Sequence, residues 1–387
     1  MTKPAIITLD DDVWEELLEV TGGAAGPCYQ CGVCTASCPW GIVREEDFTV
    51  RTILRRAQLG LLEGLESLWL CTACAQCEAS CPRAVPIAEV IRGMRYLFWK
   101  RREVLKDLPT ALWSIFWNNN PWGQPPSQRT QWMDKGGIPH FDADQHEILL
   151  YVGCTSSFDR RAQNIARSLV KVLQASGVSF GYLGEEEPCC GEAALNLGHR
   201  PYFEELSEKA ISVFREHRVV KIITISPHCY DVMRNEYPQE TSFEVLHYSQ
   251  YLADLIQADQ LTFQLPLNYK VTFQDPCTLG RRNKEFDAPR VVIRSIPGTT
   301  FIEMEQNGPD ALCCGGGGGR MWMETPVGER FSDIRVQQAA KSTAEILVTG
   351  CPFCITCFED SIKAKGLQDL QIMDIAELAA KSIKGEI

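Results

Sequence analysis

The chain of 387 residues has no apolar run long enough to cross a bilayer; the best candidate, ALWSIFW at 111–117, falls far short. It also lacks a basic stripe. Lys and Arg number 38 against 50 Asp and Glu, for a net charge of −12 and a pI near 5.1. That balance excludes a nucleic-acid surface. The amino terminus, MTKPAIITLDDDVWEELLEV, is acidic and has no apolar core before a small-residue cleavage site, which argues against an ordinary secretory signal. No Rossmann glycine fingerprint, flavin motif or haem-type C-x-x-C-H is found, so any flavin, quinone or haem must come from a partner. The expected location is the cytoplasm, with peripheral membrane docking only through another subunit.

What the chain does have is cysteine, 18 residues of it. Two runs read C-x2-C-x2-C-x3-C-P: Cys28, Cys31, Cys34, Cys38 before Pro39, and Cys71, Cys74, Cys77, Cys81 before Pro82. Thiolate is a soft ligand suited to iron–sulfur clusters, and this spacing is that of bacterial ferredoxins. Three closely spaced thiolates wrap one cube, while the fourth, redirected by proline, serves the other cluster. One cubane is therefore expected on Cys28, Cys31, Cys34 and Cys81, and a second on Cys71, Cys74, Cys77 and Cys38. A disulfide framework belongs to small secreted domains, which this chain is not. Zinc sites pair two C-x2-C units far apart and do not use three cysteines in a tight run.

The other ten cysteines fall into two modules built around Cys189-Cys190-Gly191 and Cys313-Cys314-Gly315. Apolar runs at 148–154, 220–226, 271–277 and 344–351 alternate with helical patterns such as the one carrying Ile165, Leu169, Val172 and Leu173. Such alternation implies parallel sheet covered by helices. An internal repeat aligns Cys154 with Cys277, Cys189-Cys190 with Cys313-Cys314, and Ser226-Pro-His-Cys229 with Cys351-Pro-Phe-Cys354. Five helical-spaced apolar positions (Val50, Ile53, Leu54, Leu61, Leu62) lie between the ferredoxin runs, so that region is expected to be more helical than sheet-like. The fold class is α+β and multidomain. The expected divisions are an N-terminal helix at 1–26, a helical ferredoxin-like domain at 27–100, a connector at 101–146 and homologous α/β lobes at 147–265 and 266–387. Asn, Pro and Gly crowd 118–146, the mark of an ordered linker packed on its neighbours.

The second module offers five thiolates, Cys277, Cys313, Cys314, Cys351 and Cys354, from three segments, which suggests an assembly other than a simple cube. A vicinal disulfide at Cys313-Cys314 would leave the other three unexplained. Cys357, three residues beyond Cys354, reads as a small buried hydrophobe. The run Gly315–Gly319 lacks the Lys-Ser/Thr ending of a phosphate loop and fits close backbone approach to a cluster instead. Arg281, Arg282 and Arg320 flank this module as surface groups, or as partners for cluster or substrate charge. Glu185, Glu186 and Glu187 read as a solvated loop.

The motifs DPCTLGRRN (275–283), CCGGGGGRMW (313–322) and GCPFC (350–354), with the two ferredoxin runs, resemble the CCG-domain family of heterodisulfide-reductase-type iron–sulfur proteins. The resemblance covers residues 25–385 and is nearest to fusions of HdrC-like and HdrB-like parts, as in the HdrD and DsrK types. It implies a noncubane [4Fe–4S] cluster at the second module. The first module departs from the pattern: Ser226 stands where a cysteine belongs, beside Cys154, Cys189, Cys190 and Cys229. An ordinary cluster on four thiolates, a different metal, or an empty lobe kept for its fold are the open outcomes. His228 reads as a packing or supporting residue, not a ligand. The resemblance implies an oxidoreductase subunit that reduces or forms a disulfide, or alternatively a pure electron conduit. Its partners would be a flavoprotein, an HdrA-like subunit, a membrane quinone or cytochrome subunit, or a benzoyl-CoA-reductase-type enzyme.

Overall fold

The computed structural model describes residues 9–43, 49–62, 66–106, 108–133, 137–238, 243–325 and 328–384. Each ferredoxin run curls because two of its residues adopt left-handed backbone at matching places. These are Gln30 (φ 66°) and Gly32 (φ 87°) in the first, and Ala73 (φ 51°) and Ala75 (φ 59°) in the second. Three of the four are not glycine, and each such residue costs about 1–2 kcal/mol. One-turn helices Val33–Ala36 and Gln76–Ala79 follow, each carrying the third cysteine of its run. Longer helices Asp11–Val20, Val50–Gln58 and Ile87–Arg101 surround the runs and bury Leu17, Leu54, Met94 and Leu97. The last stops at Arg101, where Arg102 turns left-handed (φ 61°). No strand occurs among the described residues of 9–133, so the ferredoxin part is helical.

One helix was not legible in the sequence. Leu108–Asn118 buries Leu108, Ala111, Leu112 and Ile115, and the Asn- and Pro-rich stretch after it packs firmly, with Asn120, Arg129 and Trp132 buried.

The lobes repeat one topology. Strands β1 (Ile148–Tyr151), β2 (Phe180–Gly181), β3 (Lys221–Thr224) and β4 (Glu244–His247) form a parallel sheet in the order β2-β1-β3-β4. Strands β5 (Lys270–Gln274), β6 (Thr300–Phe301), β7 (Ile346–Thr349) and β8 (Gln371–Asp374) repeat it as β6-β5-β7-β8. The chain reverses its winding direction between β1 and β3, and again between β5 and β7. The crevice beyond the carboxyl ends of such a pair is where open α/β sheets bind ligands. Cys154 follows β1, Ser226 follows β3, Cys277 follows β5 and Cys351 follows β7, so both modules sit at these switch points. Two helices follow β1, Gly153–Phe158 and Gln163–Ala175, the second carrying the apolar pattern of Ile165, Leu169, Val172 and Leu173.

The lobes share one core that includes Leu169, Leu252, Val292 and Leu378, all fully buried. Across their boundary Tyr248 Oη donates to Asp374 Oδ1 at 2.5 Å, and the Ala376 amide donates to the same oxygen at 2.9 Å. Asp374 Oδ2 is buried without a hydrogen-bond partner, and burial pushes the carboxyl up to about 8. In the unfolded chain this group titrates near about 3.9. The folded state thus holds the extra proton between these values, and its stability falls as pH rises through that window. Asp374→Asn keeps the cap and removes the titration. Its denaturation midpoint should change less between pH 5 and pH 8.5 than that of the wild type, whose midpoint should be lower at pH 8.5.

Candidate metal centres

The two ferredoxin runs exchange their fourth cysteines in space. Cys28, Cys31, Cys34 and Cys81 line one cavity with Gln30, Gly32 and Val85. Cys38, Cys71, Cys74 and Cys77 line another with Trp40, Ala88 and Phe331. The positive-φ turns aim donors at the sulfurs: Gln30 Nε2 to Cys28 Sγ at 3.5 Å, Ala73 N to Cys71 Sγ at 3.4 Å, and Val85 N to Cys81 Sγ at 3.4 Å. Such N–H···S bonds orient and stabilise thiolate ligands. Among the described residues no three His, Cys, Asp or Glu side chains gather at the spacing a single metal ion needs.

The second module lies against the second of these cavities. Cys277, Cys313, Cys314, Cys351 and Cys354 are all buried, with Cys277 Sγ 3.7 Å from Cys313 Sγ. The Cys314 thiol interacts with those of Cys313, Cys354 and Cys357, and the Cys351 thiol with that of Cys354. Interaction with Cys313, opposed by burial and assisted by the charge of Arg281, brings the thiol of Cys74, from the ferredoxin run, down to about 5. Arg281 Nε donates to the Cys74 carbonyl at 2.7 Å while its Nη1 reaches the Pro309 carbonyl at 3.1 Å, stitching run to lobe. Arg282 instead pairs with Asp231 at 2.8 Å, and Arg320 donates to Thr325 Oγ1 at 2.8 Å beside the Trp40 ring.

The glycine run owes its composition to the same contact. A Cβ at Gly317 would stand 2.5 Å from the Thr72 carbonyl oxygen, and one at Gly318 would stand 2.2 Å from the Cys71 carbonyl oxygen. Arg95, which the sequence reading missed, locks this interface. It is 1% exposed and donates to the carbonyls of Asn196, Gly318 (2.8 Å), Leu68 (2.9 Å) and Cys71 (3.1 Å), with Trp69 under its guanidinium. Arg95→Met fills the volume but strands four buried acceptors, each worth about 1–3 kcal/mol of desolvation. A loss of about 4 kcal/mol or more is expected in denaturant titration, and any iron held by Cys38, Cys71, Cys74 and Cys77 should be the first to leave.

The first module is built differently. Cys154, Cys189, Cys190 and Cys229 share a cavity with Ser226, Glu192, His228, Trp322 and Phe353, and Cys190 Sγ lies 3.4 Å from Cys229 Sγ. Ser226 caps helix Pro227–Asn235, its Oγ accepting from the His228 amide at 3.3 Å. Arg129 Nη2 approaches Cys154 Sγ at 3.5 Å, and Nη1 pairs with Glu187 at 2.8 Å. Glu187 also accepts from the amides of Val152 (2.8 Å) and Gly153 (2.9 Å). Glu185 and Glu186 are exposed as expected, but Glu187 is completely buried: the solvated-loop reading fails there because Arg129 supplies its countercharge. His228 pairs with Glu192 at 2.8 Å and stacks on Phe353 of the second lobe, ring centroids 4.7 Å apart.

A cavity of about 410 Å³ opens beside Cys314, lined by Trp40, Arg320, Met321, Arg330 and Cys357. Cys357 is partly exposed on this wall, 3.9 Å from Met321 Sδ and within reach of Cys314, so it is not the buried packing residue the sequence suggested.

Comparison with known proteins defines the class. The cysteine-rich CCG domain model matches residues 148–234 and 271–359, and the 4Fe-4S dicluster domain model matches residues 24–85. The chain belongs to the CCG iron–sulfur proteins in which a dicluster ferredoxin domain precedes two cysteine-rich repeats. It is 39% identical over 332 residues to the probable iron-sulfur-binding oxidoreductase FadF of Bacillus subtilis, covering 83% of this chain and 47% of that protein. It is 36% identical over 337 residues to the EtfAB:quinone oxidoreductase of Syntrophomonas wolfei, with the same coverage of 83% and 47%. The HdrD-type component of the dihydromethanophenazine:CoB–CoM heterodisulfide reductase of Methanosarcina barkeri is 28% identical, covering 92% of this chain and 93% of that protein. The chain spans about half the length of the first two relatives. Among solved structures, a hypothetical protein from Helicobacter pylori superposes with a TM-score of 0.50 at 8% identity, covering 98% of this chain and 74% of that one, a likeness of fold alone. Among the described residues no helix is long and apolar enough to cross a membrane.

Proposed function

We propose that this chain is the iron–sulfur subunit of a larger oxidoreductase, carrying electrons between a redox partner and a reaction site in the second CCG lobe. Cys28, Cys31, Cys34 and Cys81 would hold one [4Fe–4S] cubane, and Cys71, Cys74, Cys77 and Cys38 the other. Cys277, Cys313, Cys314, Cys351 and Cys354 would hold a noncubane [4Fe–4S] cluster. The donor sets fit: the ferredoxin cysteines line two cavities, the five second-lobe cysteines are buried together, and backbone amides donate to Cys71, Cys81 and Cys313 sulfur. These groups, when bound, supply one-electron relay at low potential. The observation that carries the reading is the contact between the second ferredoxin run and the second CCG module, where Arg281 Nε donates to the Cys74 carbonyl at 2.7 Å and a Cβ at Gly318 would stand 2.2 Å from the Cys71 carbonyl oxygen.

The cavity beside Cys314 supports chemistry on a bound substrate, and a disulfide is the substrate class we favour. Cleaving it consumes two electrons and two protons and yields two thiols. Arg320 and Arg330 on the cavity wall would orient anionic groups, and Met321 and Trp40 would exclude water. The second reading, a conduit without its own substrate, is supported by Ser226: only one lobe keeps five cysteines, and the serine oxygen is engaged in capping a helix. The first lobe would then hold a cluster on Cys154, Cys189, Cys190 and Cys229, or none. Partners fitting either reading are a flavoprotein, an HdrA-like subunit or a membrane quinone or cytochrome subunit, with cytoplasmic placement. Thiol added to the oxidised, anaerobic protein should change its EPR spectrum if a disulfide is reduced. An unchanged spectrum, with stable copurification of a flavoprotein, would favour the conduit.

A further inference from the structure

Both lobes carry the same tetrapeptide frame after their third strand, Ser226-Pro-His-Cys229 in one and Cys351-Pro-Phe-Cys354 in the other. The residue after each proline crosses toward the opposite lobe. His228 and Phe353 stack on one another with ring centroids 4.7 Å apart. His228 thereby lies at the Cys351-to-Cys354 turn, where its ring and the Cys351 thiol interact, while Phe353 lines the first-lobe cavity that contains Ser226. The exchange is chemically unequal. The cysteine receives an imidazole, and the serine faces a hydrocarbon ring.

The imidazole is held for this task. His228 is 8% exposed, and its Nδ1 lies 2.8 Å from Glu192 Oε1, itself 7% exposed. Glu192 is fixed in turn by Asn196 Nδ2 at 2.6 Å, and Asn196 Oδ1 accepts from Arg92 Nε at 3.1 Å. With Nδ1 turned to the carboxylate, Nε2 is the nitrogen left to face Cys351. The carboxylate thus engages one N–H edge of the ring and leaves the other free to donate. A buried polar ring aimed at one sulfur, backed by a chain of ordered side chains, is the arrangement by which outer groups tune a metal site.

We infer that the first lobe, whatever it holds itself, serves the second: His228, oriented by Glu192, is a positioning residue that donates to Cys351 Sγ and raises the reduction potential of the second CCG centre. The inference rests on the proposed cluster at that centre. A hydrogen bond to a ligand sulfur draws electron density from it and favours the more negative, reduced state. The same logic explains why Phe353 suffices opposite Ser226, where there is no thiolate to tune.

The test is a potentiometric EPR titration of the anaerobically prepared full chain, comparing wild type with His228→Phe, which installs the other lobe's residue, and His228→Gln, which keeps a donor. In His228→Phe the second-lobe signal should shift to lower potential, by at least tenfold in reduced-to-oxidised ratio at fixed poise, about 59 mV for one electron. His228→Gln should return part of that shift, and the two ferredoxin signals should stay in place as the internal control of folding. An unmoved second-lobe potential in His228→Phe overturns the inference. So does an equal shift in both variants, or loss of that signal in both with the ferredoxin signals intact, since each would mark His228 as packing only. If wild type carries the ferredoxin signals but no second-lobe signal, the proposed cluster itself fails and takes this inference with it.

Discussion

Gly318→Val should separate the ferredoxin part from the second lobe. Gly318 has φ +62°, and a Cβ there would lie 2.2 Å from the Cys71 carbonyl oxygen and 2.7 Å from the Thr72 carbonyl carbon. Both neighbours are backbone of a cysteine run, so neither can rotate away. The Gly318 carbonyl also accepts from Arg95, and any shift of the loop loses that bond too. Left-handed backbone alone costs a non-glycine residue about 1–2 kcal/mol, and forced overpacking adds about 1–3 kcal/mol. We expect a total loss on the order of 3 kcal/mol or more in denaturant titration, with electron transfer between the parts abolished. Gly366→Ala is the control: its φ is +65° but a Cβ there meets nothing within 4 Å, so only the backbone cost should appear. Equal losses in the two variants would show that the contact with the Cys71 loop is unimportant.

The second large effect concerns which cysteines act together. If the fourth cysteine of each run serves the other cluster, Cys38→Ala should change the same spectral component as Cys77→Ala. Cys81→Ala should change the component altered by Cys31→Ala. Each variant should lose up to about four irons per chain, the content of one cluster. Grouping of Cys38→Ala with Cys31→Ala would mean that each run binds its own metal. The shared cavities of the exchanged sets argue for the first pattern.

The strands and the repeat were readable because they are local: apolar runs such as ILLY at 148–151 are buried on both faces of parallel sheet, and cysteines mark their ends. The grouping of the second module's five cysteines was likewise visible in their register. Contacts across long sequence distances were not. Arg95 reaches Gly318, 223 residues away, and nothing in IAEVIRGMRYLFWKR marks that arginine among its basic neighbours. Glu187 sits in a run of three glutamates, and only Arg129, 58 residues earlier, makes its burial tolerable. Helix Leu108–Asn118 escaped because its exposed face is aromatic: Trp113, Phe116 and Trp117 hide the periodicity that polar residues would have revealed. His228 was read as a packing or supporting residue, but nothing in the sequence marked the ring it packs on, since only the folded pair of lobes sets it against Phe353.

Iron and acid-labile sulfide counted on anaerobically prepared protein bear most directly on thiolate-held clusters as the basis of function. About 12 of each per chain are expected from two cubanes and one four-iron noncubane cluster, rising to about 16 if the first lobe is filled. Colourless protein containing zinc or cystine bridges in their place would contradict it.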